Sequence, residues 1–393
     1  MTARENQSCR IPALALSAVI STTILMMLGS VVRVTGNGVG CPDWPLCYGQ
    51  AIPPIFHQGA WIEFSHRVAA LIAGAQIALV FYFSWRHHRN DKWFLRPALA
   101  ANILLLLQVI LGGVHVVLDV PPITGWIHTA NAMLIVGLIT IVLAAALIRC
   151  DWQLSVMTIL GNKTFTLTVS AITLSILLVL LSGSYAVGGD VSLTCRSTAT
   201  CAATMSSVRN WAAVLSVICI AAALANTLLA VPAMRYGAAD LLREKLFVKL
   251  VLWTTAISYL LLLTGSYVTR SGASLACPGV PLCGQAPAIM RKLIDIQLMH
   301  RYTAYVVSVL VLVIVFLIST RSTDQNAKRF VYSLMILLCL QINLGAANIL
   351  LKLPMWSRTL HLLAGTYLWM TLVALWVSVI LGAKCRKPAT HTI

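Results

Sequence analysis

The sequence predicts an all-α polytopic membrane protein with about ten transmembrane helices, and three observations support this fold class. Hydrophobic residues make up 59% of the 393 residues and charged residues only 10%, a balance typical of integral membrane proteins. Apolar runs of about 20 residues, the length that crosses a bilayer, recur along the whole chain. The segments between these runs are short, so no folded soluble domain is expected.

The predicted spans follow one another from the N-terminus with loops of alternating character. They cover residues 11–32, 61–85, 97–118, 125–148, 165–187, 208–231, 247–268, 293–318, 330–351 and 359–381.

Two kinds of loop orient these spans. Glycine- and proline-rich segments follow the first and seventh spans, and irregular structure is expected there. Basic segments such as 85–96 and 235–249 lie on the side of both termini, which the positive-inside rule assigns to the cytoplasm. The net charge of +17 could suggest a nucleic-acid partner. The concentration of basic residues in the segments on the cytoplasmic side argues against one, so none is expected. Only ten residues precede the first span, so neither a cleavable signal nor a transit peptide is expected.

The chain contains an internal repeat. Gly29 precedes Cys41 by the same 12 residues that separate Gly265 from Cys277. The segments QVILGG and QINLGA also match, and each begins 20 residues before a histidine. Spans one to four and seven to ten are therefore predicted to be two copies of one four-helix unit, related by a pseudo-two-fold axis along the membrane normal.

This repeat predicts three regions. Residues 1–150 form an N-terminal four-helix bundle, residues 233–393 form a C-terminal four-helix bundle, and residues 151–232 form an inserted transmembrane hairpin. The hairpin resembles the first two spans of each copy, since a Gly-Ser-Tyr segment again stands 12 residues before a cysteine. It lacks the histidine of those copies, so a structural role is expected.

Six of the eleven cysteines form three pairs with five intervening residues, all in segments predicted to lie outside. An oxidising compartment favours disulfides there, whereas zinc is the less favoured alternative because no histidine or second cysteine pair lies close by in the same loop. The pairs are Cys41 with Cys47, Cys195 with Cys201, and Cys277 with Cys283.

Four of the nine histidines stand at matched repeat positions near the outer start of their spans. One histidine from each of two helices is the ligand pattern of a bis-imidazole haem iron site in a helix bundle. The alternative, interfacial histidines wetted by loops, fits four residues in register less well. The predicted iron ligands are His66 with His128, and His300 with His361. His115 has Asn348 at its matched position and is interpreted as a satisfied core residue.

A carboxylate distinguishes the two copies. Glu63 stands one helical turn before His66, and Gln297 takes the corresponding place before His300. A carboxylate can accept a proton or stabilise a cation, and an amide can do neither. The first copy is therefore predicted to be the reactive site, although a surface pair between Glu63 and Arg67 is an alternative of little energetic weight.

Each first histidine of a pair is followed directly by an arginine. Arg67 and Arg301 could bind the propionates of a haem, because a guanidinium suits a carboxylate. The alternative is that both side chains extend to the membrane interface.

The motifs at these positions resemble the haem A synthase family. The resemblance is carried by the segments RVTGNGVGCPDWPLC, EFSHR, WIHTANAM and RTLHLLAGTYLW, and it covers both four-helix units. It implies a haem-modifying oxidoreductase that converts the C8 methyl group of haem O to the formyl group of haem A. It also implies that substrate haem O lies between His66 and His128 and cofactor haem b between His300 and His361, with Glu63 as the essential carboxylate.

The resemblance implies further properties. The expected location is a bacterial cytoplasmic membrane with the haem sites toward the outer face. Expected partners are the haem O synthase that supplies the substrate, an electron donor or acceptor, the lipid bilayer and further copies of the chain in a homo-oligomer. Members of the family have eight spans, so the inserted hairpin is a departure.

Two other functions remain open on the sequence. A dihaem electron-transfer cytochrome would use the same four histidines without needing Glu63. A transporter is compatible with parallel repeats, but the glycines and prolines cluster in loops rather than breaking helices at mid-membrane.

Overall fold

A computed structural model describes residues 10–149, scattered positions between 213 and 231, and residues 245–283, 288–322 and 325–382. The described residues contain eight long helices, and each is long and apolar enough to span a membrane. They are α1 (Arg10–Val34), α2 (Gln58–His88), α3 (Lys92–Val117), α4 (Pro122–Arg149), α5 (Lys245–Arg270), α6 (Arg291–Arg321), α7 (Gln325–Leu350) and α8 (Met355–Gly382). The predicted fold class, an all-α polytopic membrane protein, is confirmed.

The observed helices match eight of the predicted spans to within five residues at each end. The largest differences are at the starts of α3 and α7, which begin five residues earlier than predicted. For α3 the reason is a cap, since the Asp91 carboxylate accepts a hydrogen bond from the Trp93 N–H at 3.0 Å. Pro97, where the predicted span begins, lies inside the observed helix.

The two predicted spans of the inserted hairpin are described little or not at all. Span 165–187 lies outside the described residues. The described part of span 208–231 includes a short apolar helix, Ser216–Ala225. Leu224 and Val231 help to line a small apolar space together with Val19 of α1 and Tyr367 of α8.

The predicted disulfide of the hairpin falls in the same gap. Cys195 and Cys201 both lie outside the described residues. Of the three predicted cysteine pairs, the structure therefore bears on two. The bond between Cys195 and Cys201 stays a prediction.

Four helices form the centre of the molecule, and four lie outside them. α1 and α4 of the first half pack against α8 and α5 of the second half, and α4 also contacts α8 directly. α2, α3, α6 and α7 pack on the flanks of their own halves. α4 and α8 are apolar around most of their circumference and are largely buried, as expected for helices surrounded by protein.

The seam between α4 and α8 depends on a small residue. A Cβ atom added at Gly137 would collide with the indole ring of Trp369. That ring is fixed from its other side, since Trp369 Nε1 donates to the Thr255 carbonyl at 3.2 Å. Close approach at small residues is how membrane helices pack without a hydrophobic driving force.

Two disulfide-closed loops cover the same side of the bundle. A bond between Cys41 and Cys47 closes the loop between α1 and α2, and one between Cys277 and Cys283 closes the loop between α5 and α6. Both of these predicted pairs are confirmed. Since α2, α4, α6 and α8 all begin on this side, the four predicted iron ligands lie toward it. We call it the disulfide side.

Candidate functional site

The four predicted iron ligands form two pairs, one in each half of the described structure. His66 and His128 are close enough to interact electrostatically, and so are His300 and His361. We call these pairs the first site and the second site. The structure therefore brings together each pair of histidines that the repeat predicts to share one iron.

Each of the four imidazoles rests against a glycine of a neighbouring helix. A Cβ added at Gly29 would lie 2.9 Å from His66 Cε1, and one added at Gly265 would lie 2.9 Å from His300 Cε1. The corresponding distances are 3.4 Å between Gly112 and His128 and 3.1 Å between Gly345 and His361. A methyl group at Gly29 or Gly265 would therefore collide with a ring, one at Gly345 would crowd it, and one at Gly112 would make an ordinary contact. The glycines thus form cradles in which the imidazoles lie close to the neighbouring backbone, most tightly at His66 and His300.

The ring nitrogens of these histidines are suited to an iron ligand. The ring of His66 lies close to the Leu25 carbonyl, and the ring of His300 lies close to the matched Leu261 carbonyl. His300 Nδ1 has a partner in Thr264 Oγ1 at 3.1 Å, whereas the buried Nδ1 atoms of His66, His128 and His361 have no hydrogen-bond partner among the described residues. A proton on Nδ1 leaves the lone pair on Nε2 free to bind iron. A haem needs two such lone pairs from facing helices, so the residues present fit this group. No cluster of three or more metal-binding side chains occurs among the described residues, and a bis-histidine haem site requires only two.

A glutamine amide lies at the ligand nitrogen of the second histidine of each pair. Gln108 Nε2 is 2.9 Å from His128 Nε2, and Gln341 Nε2 is 3.4 Å from His361 Nε2. Gln108 is itself held by Asn131, whose amide donates to Gln108 Oε1 at 2.7 Å. The internal repeat identified these glutamines as matched positions, but the sequence did not predict that their amides contact the ligand histidines.

Glu63 is buried beside the first site, with only 3% of its surface exposed. Its Oε2 accepts a hydrogen bond from the Cys41 N–H at 2.9 Å, and its Oε1 accepts from Arg67 Nη2 at 2.5 Å. The alternative of a weak surface pair does not fit this burial. The carboxylate is instead held in one orientation by a backbone amide of the disulfide loop and by a guanidinium.

Gln297 is equally buried in the second half but has different surroundings. It is 5% exposed, and its Oε1 has no hydrogen-bond partner in the part of the chain that the structure describes. The two sites therefore differ in charge as well as in sequence at this position.

Arg67 and Arg301 hold the two disulfide loops in the same way. Arg67 donates to the carbonyls of Cys41, Asp43, Pro45 and Leu46 at 2.7 to 3.3 Å. Arg301 donates to the carbonyls at the four matched positions, Cys277, Gly279, Pro281 and Leu282, at 2.7 to 3.2 Å. The structure thus engages these guanidinium groups with loop carbonyls. The contacts with haem propionates stay a prediction.

His115 has a closer relation to the first site than the sequence suggested. Its Nδ1 lies 2.7 Å from Thr124 Oγ1, so it is a satisfied residue as interpreted. Its ring also stacks on His128, with 6.4 Å between ring centroids. The matched pair in the second half is Asn348 and Ser357, which are hydrogen bonded at 2.7 Å. Both halves therefore have a side-chain hydrogen bond between these matched positions, but only the first half has an imidazole there.

The disulfide loop of the first half is further ordered by Asp43. Its carboxylate accepts hydrogen bonds from the Gly49 N–H at 2.7 Å and the Tyr48 N–H at 2.6 Å. These bonds, with the nearby positive charge of Arg67, hold the pKa of Asp43 below its usual value. The loop therefore carries a stable negative charge on its outer surface.

Comparison with known proteins agrees with this arrangement of two histidine pairs. A family model described as cytochrome oxidase assembly protein, COX15-CtaA, matches residues 13–216 and 202–373. Among similar proteins, one named heme A synthase from Shouchella clausii (strain KSM-K16) is 25% identical over 306 residues, which is 76% of this chain and 73% of that protein.

A second protein named heme A synthase, from Bacillus cereus (strain 03BB102), is 25% identical over 183 residues. That match spans 46% of this chain and 58% of the relative, so less than two thirds of the Bacillus protein is covered. The family match, by contrast, extends over most of the chain and includes both histidine pairs. The chain belongs to the COX15-CtaA family of cytochrome oxidase assembly proteins.

Proposed function

We propose that this chain is a haem A synthase, a multi-pass membrane oxidoreductase that converts the C8 methyl group of haem O to the formyl group of haem A. Family membership and the names of the two relatives support this function. The observation that carries it is the contrast between Glu63 and Gln297. Two sites with matched histidines differ in one buried carboxylate, as expected when only one of them performs chemistry.

The first site is proposed to bind the substrate haem O. His66 and His128 would hold its iron, and Gly29 and Gly112 would pack against their rings. His115, stacked on His128, adds an aromatic surface on that side of the site. Together these residues would orient the porphyrin so that one methyl group is presented for oxidation, since positioning supplies much of an enzyme's rate enhancement.

Glu63 is the proposed catalytic residue. Oxidation of a methyl group to a formyl group replaces C–H bonds by a C=O bond to an oxygen atom taken from water, and it releases protons and electrons. The electrons would pass to the electron partner that belongs to this proposal, and positive charge develops on the substrate as they leave. A buried carboxylate can accept such a proton or stabilise such a charge. Arg67 and the Cys41 N–H keep the carboxylate aimed in one direction, so it need not reorient during the reaction.

The second site is proposed to hold haem b between His300 and His361. When bound there, haem b would supply one-electron redox chemistry. Gln297 offers no proton acceptor at this site, and Thr264 gives His300 an extra polar partner. These features suit a retained cofactor rather than a substrate that must leave.

The three proposed regions follow from this division of roles. Residues 1–150 would form the substrate half and residues 233–393 the cofactor half. Residues 151–232 would form a structural insertion, closed on the outer side by a disulfide between Cys195 and Cys201.

The proposed location follows from the loops. The basic loops favour cytoplasmic termini and place the disulfide side, with both haem sites, toward the outer face of a bacterial membrane. A haem O synthase that delivers the substrate, an electron partner and self-association belong to the same proposal.

The test is haem extraction from a host that makes haem O and lacks its own synthase. Expression of this chain should produce haem A or its hydroxymethyl precursor, and Glu63→Gln should abolish both products while bound haem is retained. Gln297→Glu is the matched control and should leave product formation in place. Only unmodified haem, with spectra indifferent to Glu63→Gln, would instead indicate a dihaem electron-transfer cytochrome.

A further inference from the structure

Three arginines meet between the two halves on the disulfide side. They are Arg33 at the end of α1, Arg270 at the end of α5 and Arg358 in the first turn of α8. Arg33 lies within electrostatic range of both others. Arg33 Nη1 donates to Thr269 Oγ1 of α5 at 2.5 Å, and the guanidinium of Arg270 lies directly against Gly125 of α4. The side chains of Arg33 and Arg270 therefore reach across the seam, whereas an arginine extending to the membrane interface would point away from the bundle.

No carboxylate balances this group of charges within the described residues. The ion pairs found there are Arg67 with Glu63 and Arg149 with Asp91, and neither lies in this cluster. The Nε of Arg270 is buried and has no hydrogen-bond partner in the same part of the chain. Half-buried like charges without counter-charges destabilise a fold, so their convergence indicates an anionic ligand.

Each arginine is related to one of the histidine sites. Arg270 is close enough to His128 and His115 to act on both electrostatically, so it belongs to the first site although it comes from the second half. Arg358 stands three residues before His361 and therefore shares a helix face with that ligand of the second site.

Arg33 lies between the two sites. It follows Gly29, the cradle of His66, by four residues on the same face of α1. Its hydrogen-bond partner Thr269 stands 236 residues later in the chain. Gly29 and Gly265 are separated by the same number of residues, so Thr269 is the residue of the second half that corresponds to Arg33. Contact between equivalent positions places Arg33 at the pseudo-two-fold axis.

We propose that Arg33, Arg270 and Arg358 form one carboxylate-binding site that holds propionates of the haems bound in both halves. Arg270 serves the first site, Arg358 serves the second, and Arg33 at the axis is shared. This inference rests on the proposed function, since haem is the ligand that brings carboxylates to both sites. It also explains why Arg67 and Arg301, whose donors are engaged by loop carbonyls, are not required for this task.

The test compares two probes that differ only in charge, protohaem and its dimethyl ester, in optical titrations of the purified chain from a haem-deficient host. His361→Ala restricts binding to the first site, and His128→Ala restricts it to the second. The free acid should bind about tenfold or more tightly than the ester at each site, as expected for charge-assisted hydrogen bonds. This comparison requires no arginine variant to fold.

Substitution then assigns the contacts. Arg270→Gln should reduce the preference for the free acid only at the first site, Arg358→Gln only at the second, and Arg33→Gln at both. Arg33→Lys should retain part of the preference because it keeps the charge. Arg291→Gln, at an exposed arginine that begins α6, is the matched control and should change nothing.

Equal affinity for acid and ester at both sites would overturn the proposal. A second result would also overturn the proposal. If Arg33→Gln lost co-purified phospholipid phosphate but kept the preference for protohaem over its dimethyl ester, the ligand of the arginines would be lipid headgroups. Failure of this inference is distinct from failure of the proposed function. If the chain prefers the free acid but produces no haem A, the arginine site stands and the proposed function fails. If the chain produces haem A but shows no preference for the free acid, the proposed function stands and the arginine site fails.

Discussion

His300 Nδ1 lies 3.1 Å from Thr264 Oγ1, and the hydroxyl hydrogen of Thr264 is already donated to the Leu261 carbonyl at 2.9 Å. The imidazole must then be the donor in this contact, which leaves its lone pair on Nε2. The matched position in the first half is Leu28, which has no hydroxyl. The second site thus orients its histidine more firmly than the first.

Thr264→Val should weaken haem binding at the second site by about tenfold, because partners of a ligating histidine raise its basicity and fix its ring. Protohaem titration in the His128→Ala background measures this site alone. Thr320→Val, at an exposed threonine near the other end of α6, is the control. Equal affinities in the two variants would show that Thr264 does not orient the ligand.

Gly265→Ala should disrupt the second site, and Gly29→Ala should disrupt the first. The added methyl group would lie 2.9 Å from the histidine Cε1 in each case, so the ring must shift, at a cost of about 1–3 kcal/mol. Haem content of the purified variants, measured site by site, checks the expectation. Gly74→Ala is the control, since its methyl group would make an ordinary contact of 3.6 Å with Leu105.

Arg301→Gln should loosen the loop closed by Cys277 and Cys283. Four carbonyls of that loop lose the hydrogen bond from the guanidinium, although the Pro281 carbonyl keeps the one from the Tyr305 hydroxyl. Local opening governs access of a reductant to the disulfide. Reduction by dithiothreitol should become about tenfold faster than in the unsubstituted chain. Arg291→Gln should leave the rate unchanged, and an unchanged rate in Arg301→Gln itself would contradict this role.

Asp43 should keep its loop ordered well into the acid range. The N–H groups of Gly49 and Tyr48 hold the pKa of Asp43 below its usual value. Because this pKa is lower in the folded chain than in the unfolded chain, ionised Asp43 stabilises the fold at pH values above its unfolded-state pKa of about 3.9. That stabilisation is lost as the pH falls through the folded-state pKa. Amide hydrogen exchange at residues 48 and 49 should therefore stay slow from neutral pH down to about pH 4, after correction for intrinsic rates.

Asp43→Asn supplies the comparison for that pH profile. An amide oxygen is a weaker acceptor than a carboxylate and does not titrate. Exchange at residues 48 and 49 should then be faster at neutral pH, with no acid transition. A variant that reproduced the original profile would exclude Asp43 as its origin.

The helices and the pairing of histidines could be predicted because both follow from local patterns. Apolar runs of membrane length define α1 to α8, and the spacing of 20 residues from Gln108 to His128 recurs from Gln341 to His361. Matched positions in repeated units occupy matched places in the fold. The identities of the four histidines therefore indicated their partners before any distance was known.

The contacts between halves could not be predicted in this way. Arg270 stands one residue beyond the position that matches Arg33, and this offset turns it from its own half toward Gly125. Such a crossing depends on how the two units dock, which repeat spacing does not specify. The engagement of Arg67 by the disulfide loop depends similarly on the path of an irregular segment. Local propensity leaves that path undetermined.

The indole of Trp369 against Gly137 sets the spacing between α4 and α8, the helices that carry His128 and His361. Electron tunnelling decays steeply with distance, so a rigid α4–α8 seam would keep the transfer rate between bound haems independent of lipid composition. A larger residue at position 137 would widen the gap while leaving all four histidines in their cradles. Inter-site transfer could in this way be slowed without altering the chemistry of either centre.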